Sequence, residues 1–116
     1  MINAKDHGWP TLKAFVAERD WVCLAIRTDV FGQDIARDQC QDKDGNLIGA
    51  DKVYLMEFDH IREQAGGARI DDEAHGINVC SWHHRGSGWR SDSKEHRDGI
   101  RRYLARLYPK VWHAAA

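Results

Sequence analysis

Glu57–His84 reads EFDHIREQAGGARIDDEAHGINVCSWHH and holds four of the chain's seven histidines and one of its three cysteines. Asp59 and His60 close the run Val53–Phe58, whose β-branched and aromatic residues predict a strand, so a carboxylate and an imidazole are expected where that strand ends. His75–Val79 predicts a second short extended stretch that terminates at Cys80. The Gly66-Gly67 doublet between them lacks a strand–Gly–helix frame, so it predicts a turn rather than a phosphate loop. A Cys and a His three apart, as Cys80 and His83 are, can close on one tetrahedral zinc through a tight turn. His84 is then expected to point away from that metal, toward Asp59 and His60.

A chain of 116 residues predicts a single domain over residues 1–116. A domain this short buries a modest fraction of its surface, and a metal or disulfide staple is a common remedy. Three cysteines, an odd number, without a charged-then-apolar leader point to a reducing cytoplasm rather than to a secreted disulfide framework. No apolar run approaches the roughly 18 residues that cross a bilayer, so no membrane partner is expected. Cys40 sits between Gln39 and Gln41, a poor place to bury a cysteine without a reason, just ahead of a turn predicted at Asp44-Gly45. Cys23, Cys40, Cys80 and His83 together supply three soft thiolates and an imidazole, the closed four-coordinate shell of a structural Zn²⁺ site. Asp59, His60 and His84 are a harder set. Carboxylate oxygen and imidazole suit Mg²⁺ or Mn²⁺ with positions left open for phosphate and water, and His60 is the natural proton acceptor.

Both ends of the chain predict helices. Leu12, Phe15 and Val16 fall at helical spacing within Thr11–Asp20 behind Pro10, and Trp9, Phe15 and Trp21 are expected as core or lid residues. Asp92 and Glu95 have capping-box spacing ahead of an apolar stripe of Ile100, Tyr103, Leu104, Leu107 and Tyr108, with Gly99 an unfavourable residue inside that helix. The net charge of −1 hides an asymmetry. From Arg85 onward eight Lys or Arg face three acids, so an acidic body carries a basic C-terminal third suited to a polyanion. Arg85, Arg97 and Arg101 are the candidate phosphate contacts.

Asp59-His60-Ile61, a Gly-Gly loop, and His75-Gly-Ile-x-x-Cys80-x-x-His83-His84 resemble the core of the HNH endonucleases, the ββα-metal nucleases. Gly88-Trp89 and the helix HRDGIRRYL resemble small phage-encoded HNH proteins in particular, and the resemblance covers about residues 19–109. It implies an α+β fold: a small ββα-metal core with a structural zinc site and flanking N- and C-terminal helices. It also implies a metal-dependent DNA endonuclease leaving 5′-phosphate and 3′-hydroxyl ends. Asp59 and His84 inherit the catalytic divalent ion and His60 the general base. The middle position, usually Asn about five residues before the cysteine, falls on His75 by spacing, with Asn78 as the alternative. A phage DNA-processing or packaging partner in a host cytoplasm follows from the resemblance alone. The rival reading is a zinc-stapled nucleic-acid-binding module without activity. A zinc nucleobase deaminase would need H-x-E and a later P-C-x-x-C, which the sequence lacks.

Overall fold

The computed structural model describes residues 1–32, 40–86 and 89–113. Gly88, quoted in the resemblance, lies outside the described residues, as does the residue preceding Cys40. Asn3 caps a single turn, α1 (Ala4–His7), by accepting the Asp6 N–H at 2.8 Å. Gly8, at φ 84°, redirects the chain into α2 (Trp9–Asp20), where Pro10 occupies a first-turn position that needs no N–H donor. Leu12, Val16, Ala17 and Asp20 are the buried face of α2. Trp9 packs edge-on against Phe58 and His60, but Phe15 and Trp21 are 37 % and 59 % exposed and are not part of the core. Trp21 ends α2 in the left-handed conformation, φ 55°, its N–H bonded to Ala17 O. A short α3 (Thr28–Phe31) follows a 3₁₀ turn over Leu24–Ile26.

Two four-residue strands, β1 (Glu57–His60) and β2 (Gly76–Val79), pair antiparallel with Glu57 opposite Val79 and His60 opposite Gly76. The strand expected from Val53 is therefore shorter. Val53–Leu55 forms a 3₁₀ turn, with the Leu55 and Met56 N–H groups on Lys52 O and Val53 O, because β2 has already turned away at Cys80 and offers no partner before Glu57. The Gly-Gly stretch does turn, with Gly66 at φ 75° and the Gly67 N–H on Gln64 O. Asp72 caps a 3₁₀ turn over Glu73–His75 that leads into β2. Beyond β2, a π-helical turn (Trp82–Gly86) carries His83 and His84, and α4 (Lys94–Leu107) completes the fold.

The capping box predicted at Asp92 does not form. Asp92 is taken by Arg90 at 3.1 Å, so α4 starts one residue later behind Ser93, whose hydroxyl donates to Arg90 O. Ile100, Tyr103 and Leu104 are buried as the stripe predicts, while Leu107, near the helix end, is 44 % exposed. Gly99 has a packing reason: a Cβ there would stand 3.0 Å from Val30 O and 3.1 Å from the Phe31 ring, so its absence lets α3 and α4 approach.

The core joins Leu24, Ile77, Val79, Ile100 and Leu104 around the cysteines. A buried polar knot crosses it. Asp20, fully buried, accepts from Arg19, the Asn78 N–H at 2.8 Å and the Tyr103 hydroxyl, while Arg19 also donates to Glu73 O and Gly76 O. Both carboxylate oxygens of Asp20 are thereby satisfied, and α2, β2 and α4 are held at fixed offsets. Among the described residues no helix is long and apolar enough to cross a membrane.

Gly76 lies beneath the Phe58 ring, where a Cβ would fall 1.9 Å from a ring atom. Gly76→Ala should displace that buried ring and lower stability by about 1–3 kcal/mol in denaturant unfolding, the usual cost of overpacking. An unchanged midpoint would show that Phe58 does not pack over β2 in solution.

Candidate functional site

Four buried donors meet where α2, the 40–48 hairpin and the end of β2 converge. Cys23 immediately precedes the 3₁₀ turn after α2. Cys40 opens a small hairpin in which Gln41 bridges Leu47, and the turn forms at Asp44-Gly45, with Asp42 accepting the Asp44 and Asn46 N–H groups and Gly45 at φ 85°. Cys80 ends β2, and His83 lies in the turn beyond it. His83 Nδ1 stands 3.5, 3.9 and 3.0 Å from the sulfurs of Cys23, Cys40 and Cys80, and all four donor atoms lie within 4.8 Å of one another. A tetrahedral shell with Zn–S and Zn–N bonds of 2.3 and 2.0–2.1 Å spaces its donors by about 3.5–3.8 Å. The backbone already points at these sulfurs: the Cys80 N–H donates to Cys23 Sγ at 3.3 Å and the His83 N–H to Cys80 Sγ at 3.4 Å.

Electrostatics gives the same answer. Hydrogen bonds from Cys23 and then Cys40 hold the Cys80 thiol far below its ordinary range. Burial, then the neighbouring sulfurs, push Cys23 well up. Cys40, although lowered by its contact with Cys23, is pushed up to about 12 by Cys80 and by burial. Burial and mutual proximity disfavour charge on all three sulfurs together. A divalent ion supplies the compensation that three buried thiolates need. This Cys₃His group could therefore hold a metal ion such as zinc.

On the other side of the π-helical turn a cleft of about 450 Å³ is lined by Asp59, His60 and His84, together with Arg62, Arg69, Arg90, Arg97 and Arg101. His84 Nε2 is 3.7 Å from Asp59 Oδ1, and its Nδ1 is 2.7 Å from Glu57 Oε1. Burial raises the Asp59 carboxyl above its usual range, against a hydrogen bond from Ser91 and the nearby His84. The ring of His60 is fixed by Asp71 at 2.8 Å on Nε2 and by edge-on contacts with Phe58 and Trp9. Burial lowers the His60 pKa in spite of Asp71, with Arg69 adding to the effect, so the ring is neutral at neutral pH.

The other expected site residues are placed unevenly. The Arg97 side chain lines the cleft with no ion-pair or hydrogen-bond partner among the described residues, whereas Arg101 lines it while donating to Glu63 O at 2.9 Å. Arg85 is outside the cleft lining and engages Glu57. His75 is buried with Nδ1 on Asp72 at 2.6 Å and Nε2 on Glu63 at 2.7 Å, and it does not line the cleft. Asn78 is also absent from the lining, its amide donating to Val22 O on the α2 side. Glu57, Asp71, Arg62, Arg69 and Arg90 were not singled out from the sequence. The available signal was strand alternation, which sets Glu57 on the same face as Asp59 two residues on. Neither a protein-family model, nor a curated protein, nor a solved structure matches this chain.

Purified protein should contain one zinc per chain by metal analysis. Cys80→Ser should lose it together with several kcal/mol of stability, because metal-binding free energy in such a site is folding free energy. His84→Ala should keep its zinc. Zinc lost from His84→Ala and retained in His83→Ala would reverse the assignment of the two adjacent histidines.

Proposed function

We propose that the chain is a metal-dependent DNA endonuclease of the HNH, ββα-metal kind, with zinc on Cys23, Cys40, Cys80 and His83 as a structural ion. The observation that carries this reading is the convergence of Asp59, His60 and His84 on one arginine-lined cleft. A module that only bound nucleic acid would need the arginines and not the other three. The order of the segments, strand, strand and helical turn with the last histidine on that turn, supports the same reading.

Asp59 and His84 would hold the catalytic ion. Their donor atoms lie 3.7 Å apart, within a sub-ångström adjustment of the roughly 3.0 Å that separates adjacent ligands of an octahedral ion with bonds of about 2.1 Å, and the second nitrogen of His84 already has a carboxylate partner. When bound, Mg²⁺ or Mn²⁺ supplies Lewis-acid stabilisation of the charge developing on the phosphate and the leaving oxygen. His60 does the proton work. Its Nε2–H donates to Asp71, which leaves the Nδ1 lone pair to accept a proton from the attacking water. Arg62 and Arg97, whose side chains have no ion-pair partner among the described residues, would neutralise flanking phosphates and position the backbone without reading bases.

The direct test is plasmid cleavage after chelation, with Mg²⁺ or Mn²⁺ restored. The wild type should cut only with the ion present, and His60→Ala should keep zinc and DNA binding while its rate falls by about 10²–10⁴. His84→Ala should recover part of its activity at high Mn²⁺. Wild-type protein that binds DNA but leaves the plasmid intact under all these conditions is the binding module instead.

Removing Arg97 and Arg101 together should weaken binding alike for unrelated DNA sequences. Each lost phosphate contact should flatten the slope of log K against log salt by roughly 0.9. Arg62→Ala should do the same, and an unchanged slope for all three would place DNA on another face.

A further inference from the structure

Glu57 touches neither the scissile group nor the ion in the mechanism above, yet its contacts bear on the residue that does. His84 presents two different nitrogens: Nδ1 lies 2.7 Å from Glu57 Oε1, a hydrogen bond, and Nε2 lies 3.7 Å from Asp59 Oδ1, beyond one. With its proton on Nδ1 and shared with Glu57, the imidazole turns the lone pair of Nε2 toward the Asp59 carboxylate. Two lone pairs facing each other at that distance repel unless a cation lies between them. Glu57 itself is fixed at three points. Its backbone is in register with Val79 at the end of β2, its side chain shares a strand face with Asp59, and its second oxygen, Oε2, accepts from the Arg85 guanidinium. Arg85 therefore serves the site from outside, through Glu57, instead of lining the cleft.

We infer that Glu57, braced by Arg85, is a positioning residue that sets the tautomer and ring orientation of His84 so that Nε2 and Asp59 form a ready-made divalent-cation site. This rests on the nuclease reading of the cleft, which supplies the reason for such a site. The competing role is structural: His84 as an imidazolium pinned between Glu57 and Asp59, with no cation required.

Mn²⁺ binding to the zinc-loaded protein separates the two. The protein is titrated with Mn²⁺, free ion being read by electron paramagnetic resonance, for the wild type, Glu57→Gln, Glu57→Ala and His84→Ala. Glu57→Ala should weaken Mn²⁺ binding by about 10- to 100-fold, the usual effect of removing the partner that orients a metal-ligating histidine. Glu57→Gln keeps an accepting oxygen on Nδ1–H but not the charge, so it should fall between Ala and wild type. Zinc content and melting temperature should match the wild type in both, and cleavage should recover at saturating Mn²⁺, which it does not do in His60→Ala. Wild-type Mn²⁺ affinity in both Glu57 variants, with affinity lost in His84→Ala, overturns the positioning role and leaves the nuclease reading intact. Should the Ala variant fail to fold, Glu57→Gln decides alone, and a wild-type affinity there overturns the inference. A wild type that neither takes up Mn²⁺ nor cuts DNA overturns both.

Discussion

Three thiols and an imidazole, drawn from three separate segments into one buried cluster, are the constraint on which the rest of this fold depends. Cys23 brings the end of α2 to the sheet, Cys40 brings the 40–48 hairpin, and Cys80 with His83 bends the chain at the end of β2. Each of these is a short element with little surface of its own to bury. A two-stranded pairing four residues long is marginal without further support. The cluster supplies that support locally, and the Arg19–Asp20 knot supplies it through its bonds to Gly76 and Asn78 of β2 and to Tyr103 of α4. The same bend creates the cleft. His83 faces inward to the sulfurs, so its neighbour His84 is turned out toward Asp59.

The cleft is a site of compensating charges. Burial makes ionised Asp59 unfavourable, and what offsets it comes from Ser91, His84 and Arg90. Arg62 and Arg69 arrive from the long connection between the strands, Arg90, Arg97 and Arg101 from the C-terminal third. The division into an acidic body and a basic tail thus captures only part of the electrostatics. The acids of the body are largely consumed internally: Asp71 on His60, Asp72 and Glu63 on His75, Glu57 on His84 and Arg85. Two arginines of the same body line the cleft, Arg62 and Arg69, the second of them 3.6 Å from Asp71.

What was legible in the sequence follows the range of the interaction. Helical periodicity located α2 and the buried stripe of α4, and ligand chemistry picked out four residues that the structure brings together, despite a gap of seventeen positions between Cys23 and Cys40. Strand length was not legible, because Val53–Phe58 has strand composition and lacks only a partner, which is a property of where β2 ends. The capping box failed for a similar reason: Arg90 outcompetes the helix N-terminus for Asp92. The carboxylates behind His60 and His84 carried no signal of their own: Asp71 is one of three consecutive acids, and Glu57 sits inside the run that predicts a strand. Spacing favoured His75 for the middle role, but no sequence pattern announces that two carboxylates and Trp112 will enclose it.

The central claim is that adjacent histidines serve two different metals, His83 a buried structural ion and His84 an open one in the cleft. Anomalous diffraction from crystals grown with Mn²⁺ addresses it directly, with data collected on either side of the zinc absorption edge. The account predicts a zinc peak enclosed by Cys23, Cys40, Cys80 and His83, and a separate manganese peak bonded to Asp59 Oδ1 and His84 Nε2. A single metal peak shared by His83 and His84, or manganese bound away from Asp59, would contradict it.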